Sequence, residues 1–104
     1  MKVYHGKRVS KVGGQPAYVD GRPLKHVVRH SPDGFQWGYG GSGPSDLALS
    51  ILTDCLGKEL AEKYYQKFKW DFVAKFGDEW EVKEEEIREW LATVEPVRRL
   101  GGRG

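Results

Sequence analysis

The chain has 104 residues and a net charge of +2, and 38% of its residues are hydrophobic, with 13 aromatic residues among them. This length fits one domain with a modest core and leaves no room for two, and the aromatic content argues against disorder. No run of about 18 apolar residues occurs, and the N-terminus lacks the apolar segment of a signal peptide, so we expect no membrane contact. The single cysteine, Cys55, cannot form an internal disulfide, which favours a reducing, cytoplasmic location.

The first half of the chain predicts short strands separated by turns. Residues 3–5 form the first predicted strand, and Gly6 and Lys7 favour a tight turn after it. Residues 16–19 form the second predicted strand. A third strand is predicted at residues 26–30.

Two turns in this half have specific chemistry. Asp20-Gly21 predicts a type I′ hairpin, since both residue types tolerate positive φ, and Pro23 keeps the short return strand at an edge. Residues 31–34, Ser-Pro-Asp-Gly, fit a type I turn. Residues 35–39 then alternate, which places Phe35, Trp37 and Tyr39 on the core face of a strand, so a three- or four-stranded antiparallel meander is expected.

The second half predicts helices. Pro44 suits the first helical position, and Asp46 falls in the first turn, where a carboxylate meets free amides. Gly57 ends or bends this apolar helix, and a second helix is predicted over residues 58–76 with Gly77 as its cap.

The C-terminal elements are predicted from alternating apolar residues and from acidic residues at a helix start. Trp80 and Val82 indicate a short extended piece, and Glu84 opens a third helix that Pro96 ends. We therefore predict one α+β domain over residues 1–96, a small antiparallel sheet packed against two or three helices, and a flexible basic tail at residues 97–104. The predicted core contains Leu47, Ile51, Leu52, Tyr64, Phe68, Phe72, Ile87, Trp90 and Leu91.

Charge is distributed unevenly along the chain. Residues 1–42 carry 7 − 2 = +5, residues 43–95 carry 7 − 13 = −6, and residues 96–104 carry +3. Such asymmetry can steer an anionic partner toward one face, or it can be ordinary solubilising charge.

The Gly-rich segment, residues 38–43, leads from the last predicted strand into the first helix. Free amides at a helix start can bind an anion. However, no Walker or dinucleotide motif is present, Pro44 removes one donor, and Asp46 opposes an anion. The segment is therefore a packing corner, a phosphate or nucleic-acid contact, or a protein contact. The candidate partner- or ligand-binding residues are Arg22, Lys25, Arg29, Trp37, Tyr39, Gly41, Ser42, Gly43, Ser45 and Asp46.

The sequence offers no supported set of catalytic or metal-binding residues. The histidines lack cysteine or carboxylate neighbours at zinc-site spacing, and no Gly-x-Ser-x-Gly elbow occurs. We expect no cofactor and no metal. A hydrolase using Ser42 or Ser45 with a histidine is a third alternative.

Residues 31–52, SPDGFQWGYGGSGPSDLALSIL, resemble the signature of a small family of uncharacterised prokaryotic and phage proteins, a domain of unknown function. The resemblance implies a stand-alone domain of phage or mobile-element origin and supplies no catalytic residue. We therefore expect a non-catalytic accessory protein that binds another protein. The alternative is binding of nucleic acid or a phosphate ligand through the basic strands and the Gly-rich segment. Matching flanks are Tyr4-x-Gly6-x-Arg8, Val19-Asp20-Gly21-Arg22-Pro23-Leu24, Tyr65-Gln66-x-Phe68-Lys69 and Trp80.

Overall fold

The computed structural model describes residues 1–95. The predicted helix stop at Pro96 and the predicted basic tail at residues 97–104 lie outside these residues. In chain order the elements are β1 (Val3–Lys7), β2 (Ala17–Val19), β3 (Arg22–Pro23), α1 (Ser42–Leu56), α2 (Lys58–Asp71), a 3₁₀ turn (Val73–Lys75), β4 (Glu79–Lys83) and α3 (Glu84–Val94).

The four strands form one antiparallel sheet in the order β3-β2-β1-β4. The α+β class and the small antiparallel sheet are confirmed. The fourth strand is the extended piece predicted from Trp80 and Val82, so it comes from between α2 and α3 and pairs with the first strand of the chain. The first half thus supplies three consecutive antiparallel strands, β1 to β3, and a long-range pairing adds β4 beside β1 as the strand at the other edge.

The turn predicted at Gly6 and Lys7 is wrong, since both residues belong to β1. Gly6 pairs with Ala17 on one side and with Trp80 on the other. A Cβ at Gly6 would lie 2.6 Å from the indole nitrogen of Trp80. Glycine is thus required here by a close approach within the sheet, and its presence alone does not mark a turn.

The hairpin at Asp20-Gly21 is confirmed. Asp20 has φ 50° and Gly21 has φ 80°, as a two-residue type I′ connection requires. The return strand is only two residues long and lies at the sheet edge, where Pro23 needs no outward N–H.

The strands predicted at residues 26–30 and 35–39 do not form. The first segment is a loop, because its backbone N–H groups bind side chains of α1 instead of another strand. In the second segment only Phe35 forms an isolated bridge, with Gln15. The turn between the segments is confirmed by a hydrogen bond from the Gly34 N–H to the Ser31 carbonyl, 3.3 Å.

The second helix is shorter than predicted. It ends at Asp71, and the chain continues into the 3₁₀ turn, so Gly77 does not cap it. The Val73 carbonyl accepts a hydrogen bond from the Gly38 N–H, 3.0 Å, which draws this segment toward the Gly-rich corner. Gly57 does end the first helix, with φ 93°.

The helices cover one face of the sheet and enclose the core. Among residues 1–95, no helix has both the length and the apolar character needed to cross a bilayer. Of the predicted core residues, Tyr64, Phe72 and Trp90 are only partly buried. The fully confirmed members are Leu47, Ile51, Leu52, Phe68, Ile87 and Leu91.

Candidate functional site

The Gly-rich segment forms a corner between the loop and α1. Gly41 is the N-cap residue, and the Ser45 N–H donates to its carbonyl, 2.9 Å. The helix therefore begins at Ser42, and Pro44 is its third residue instead of its first. At this position Pro44 still costs little, because amides in the first turn have no partner inside the helix.

The glycines of this corner are required by close contacts with side chains. A methyl group at Gly40 would overlap the ring of Trp70, and one at Gly41 would lie 2.6 Å from the Tyr39 ring. At Gly43 it would lie 2.6 Å from the Cβ of Gln36. These contacts account for glycine at positions 40, 41 and 43, and the positive φ of Gly38, 88°, accounts for the fourth, without a phosphate ligand.

Two exposed aromatic rings each contact a glycine of this corner. Tyr39 is 52% exposed and Trp70 is 56% exposed, and they are the only large aromatic side chains this open within residues 1–95. They rest on consecutive glycines, whose α-carbons are about 3.8 Å apart. We call Tyr39, Gly40, Gly41 and Trp70 the aromatic corner. The Lys69 ammonium lies 4.4 Å from the Trp70 ring centroid and adds a cation–π contact.

Trp37 is buried, unlike the nearby Tyr39. It is 1% exposed, and its indole N–H donates to the Gly77 carbonyl, 2.8 Å. Its ring meets Trp80 edge-on with centroids 5.6 Å apart, and the Arg8 guanidinium lies 5.1 Å from its centroid. Trp37 is thus a core residue, although it does not lie on a strand.

Asp46 does not cap its own helix, contrary to the prediction from sequence. Its side chain is fully buried and turned toward the loop, where it accepts hydrogen bonds from the backbone N–H groups of Arg29, His30 and Ser31 at 2.8–3.2 Å. The Nε2 of His26 lies 2.8 Å from the carboxylate. An ionised carboxylate only accepts, so this nitrogen carries the hydrogen.

The same contacts determine the charge state of Asp46. Burial by itself raises the pKa of the carboxyl. The hydrogen bonds from His26 and from the three loop amides outweigh burial, so the pKa lies below its ordinary value. Asp46 is therefore an ionised anchor that pins the loop to α1.

The basic candidates do not form one cluster with the Gly-rich corner. Arg29 makes a two-pronged ion pair with Glu62 of α2, so its charge is already neutralised locally. Arg22 lies exposed on β3, and Lys25 borders a small cavity of about 280 Å³ beside Asp54.

The ten predicted site residues thus separate by environment. Trp37, Gly43, Ser45 and Asp46 are buried. Tyr39, Gly41 and Ser42 form the surface of the corner. Arg29 is joined to Asp46 by its backbone N–H while its side chain pairs with Glu62, and Arg22 and Lys25 make no hydrogen bond or ion pair with the corner within residues 1–95. Sequence reasoning missed Trp70, whose only signal is a large apolar side chain on the polar side of the α2 pattern.

Neither candidate serine is hydrogen-bonded to a histidine within residues 1–95. His26 contacts Asp46, His30 contacts the Tyr65 hydroxyl, and His5 stacks on Tyr18. Nor do His, Cys, Asp and Glu side chains gather in groups of three or more that could hold a metal ion in this part of the chain.

Replacing Gly40 by alanine is expected to displace the Trp70 ring, because the added methyl group overlaps it. The ring is the open end of a side chain and can move, so the free energy of unfolding changes by less than about 1 kcal/mol. ¹⁹F NMR of 5-fluorotryptophan-labelled protein measures this as a shift of the Trp70 resonance. The control is Gly77→Ala, where the added methyl group meets nothing within 4 Å. An unchanged Trp70 resonance in Gly40→Ala refutes the contact.

A model of a family of unknown function, DUF6166, matches residues 4–93 of the chain. The match spans β1, the Gly-rich corner and nearly all of α3. No curated protein and no solved structure matches the chain significantly.

Proposed function

We propose that the chain, which belongs to the DUF6166 family, is a non-catalytic binding protein that contacts another protein through the aromatic corner. The observation that carries this proposal is the convergence of Tyr39 and Trp70, 31 positions apart, on two consecutive glycines. Folding brings the two rings to one place and leaves both open to solvent.

Exposed tyrosine and tryptophan side chains suit a protein contact. They bury a large area at low cost in side-chain entropy, and they are the residue types enriched where interfaces gain most of their free energy. At this corner the glycine backbone contacts each ring, so the rings are positioned before the partner arrives. Such preorganisation reduces the entropy lost on binding.

We also propose that the partner is a host protein and that binding takes place in the cytoplasm. The implied phage or mobile-element origin places the partner among host proteins. The action is in the cytoplasm, where the buried thiol of Cys55 stays reduced.

The test begins with a photo-cross-linking amino acid at position 39 or 70, which captures the partner from host extract for identification and purification. With the purified partner, Tyr39→Ala and Trp70→Ala are each expected to weaken binding about 100-fold in calorimetry. The matched control is Val28→Ala, since Val28 is apolar and 57% exposed on another segment. Its effect is expected to stay within about threefold. Full affinity in both aromatic variants contradicts the proposal.

A second candidate function is binding of nucleic acid or a phosphate ligand. The open faces of Tyr39 and Trp70 support it, since bases stack on such rings. The ion pair of Arg29 with Glu62 weighs against it, because it leaves fewer free cations for phosphates. Titration of labelled single-stranded DNA and RNA at low salt separates the two functions. Nucleic-acid binding that both aromatic variants abolish would replace the first proposal.

A further inference from the structure

Strand β4 is one edge of the sheet, and its free side can be identified from the ladder. The Arg8 N–H donates to the Asp78 carbonyl, 2.8 Å, in the register that pairs Tyr4 with Val82. Hydrogen-bonded and non-hydrogen-bonded pairs alternate along an antiparallel ladder. The backbone groups of Glu79 and Glu81 therefore point away from β1.

These outward-pointing backbone groups are available for hydrogen bonding. Within residues 1–95, no hydrogen bond is made by the N–H or carbonyl groups of Glu79 and Glu81. At the end of the strand the Lys83 N–H is already bonded by the Glu86 side chain, 2.8 Å. The free edge thus offers two donors and two acceptors in a row, which is a template for one further strand.

The charge at this edge selects what can pair with it. Residues 78–86 contain six acidic residues and one lysine, 1 − 6 = −5. Asp78 pairs with Arg8 and Glu84 with Arg88, so the charge that faces a new strand comes from Glu79 and Glu81. The side chains of Glu79 and Glu81 are exposed on the outer face of the sheet. Two copies of β4 exchanging these bonds would place Glu81 opposite Glu81 or opposite Glu79. Like charges at opposed positions are destabilising, so self-pairing is disfavoured.

We infer that the β4 edge accepts an extended basic segment of another protein as a fifth strand. Lysine or arginine at alternate positions of that segment stands opposite Glu79 and Glu81 on the outer face. The intervening residues face the side of Trp80 and Val82 and are apolar. The backbone bonds hold the segment, and the opposed charges select its sequence.

The outer face next to this edge leaves room for long side chains. It forms an open concavity of about 520 Å³, bordered by Glu79, Glu81 and the stacked rings of His5 and Tyr18. Lys7, the cross-strand neighbour of Glu79, also borders it. A lysine or arginine leaning over β4 enters this concavity beside the two carboxylates. Guanidinium groups also stack on aromatic rings, so arginine gains a further contact there.

The probe is the peptide Lys-Val-Arg-Val-Lys-Val-Arg, titrated into ¹⁵N-labelled protein at about 0.05 M salt, where screening is weak. We expect shifts and slowed hydrogen exchange at the amides of Glu79 and Glu81. The acidic counterpart Glu-Val-Glu-Val-Glu-Val-Glu is expected to bind at least about tenfold more weakly. The same is expected of the basic peptide with methylated backbone nitrogens at its third and fifth residues, whose N–H groups would otherwise bond to β4. Equal binding of the N-methylated peptide, or unprotected edge amides, overturns the inference.

The variant Glu79→Lys with Glu81→Lys is expected to lose at least about tenfold in affinity for the basic peptide. Glu59→Lys with Glu89→Lys, which changes the net charge equally at exposed sites on α2 and α3, is the matched control and keeps full affinity. Glu81→Pro is a second variant, which removes an outward N–H without breaking the ladder with β1. It is expected to weaken binding as well. Full affinity in either edge variant contradicts the inference.

This surface uses no residue of the aromatic corner. Peptide binding is therefore expected to be unchanged in Tyr39→Ala and Trp70→Ala. The failure of one proposal leaves the other standing, and the two sets of variants tell them apart.

Discussion

Replacing Asp46 by asparagine is expected to lower the free energy of unfolding by about 3 kcal/mol at pH 7. The carboxylate is fully buried and accepts hydrogen bonds from three loop amides and from His26. Asparagine has the same shape but only one acceptor oxygen, and its amide group would face donors. Urea unfolding followed by circular dichroism measures the loss.

The pH dependence of this effect has a definite sign. The pKa of Asp46 is lowered in the folded protein, so its ionised form stabilises the fold above the ordinary value of about 3.9. That contribution is lost as the pH falls through the lower, folded-state pKa. The difference between wild type and Asp46→Asn is therefore full at pH 7 and shrinks at acidic pH.

The matched control for Asp46 is Asp33→Asn. The Asp33 side chain is exposed and makes no hydrogen bond within residues 1–95, so its replacement is expected to change stability by less than about 0.5 kcal/mol. Equal stability losses in the two variants would refute the role of Asp46 as the anchor of the loop.

Trp37→Ala is expected to lower the free energy of unfolding by about 4 kcal/mol, because it empties a fully buried site and breaks the hydrogen bond to the Gly77 carbonyl. The same substitution at Trp70 is expected to cost less than about 1 kcal/mol, since more than half of that side chain is in solvent. Thermal and urea unfolding of both variants measure the contrast.

The variants of these two tryptophans distinguish a role in core packing from a role in partner binding. Trp70→Ala should remain folded and lose affinity for the partner. The folded molecules of Trp37→Ala should keep that affinity, because their aromatic corner is intact. A loss of stability in Trp70→Ala as large as that in Trp37→Ala would mean that the aromatic corner is part of the core.

Local chemistry predicted several elements of the fold. The Asp20-Gly21 hairpin, the Gly57 helix end and the alternation of Trp80 with Val82 depend on backbone conformation or on a period of two, and all three are confirmed. Predictions failed where hydrogen-bond partners distant in sequence determine the local structure. The segment at residues 26–30 has strand composition, but Asp46 and Ser50 of α1 take its backbone donors.

The candidate site was predicted in part for the same reason. Glycine content marked the corner, because close approach requires glycine wherever the approaching group comes from. The identity of that group depends on tertiary structure. Trp70 lies 30 residues from Gly40, and no local pattern links them. The alternation that placed Phe35, Trp37 and Tyr39 on one face also failed, since Tyr39 turns outward onto Gly41.

The central claim, that the aromatic corner is the contact surface, is tested most directly by ¹⁹F NMR of protein labelled with 5-fluorotryptophan. Its four tryptophans give four resonances, which single substitutions assign. On titration with the partner captured at position 70, we predict that the Trp70 resonance shifts while that of buried Trp37 stays in place. A complex that forms with an unchanged Trp70 resonance would contradict the account.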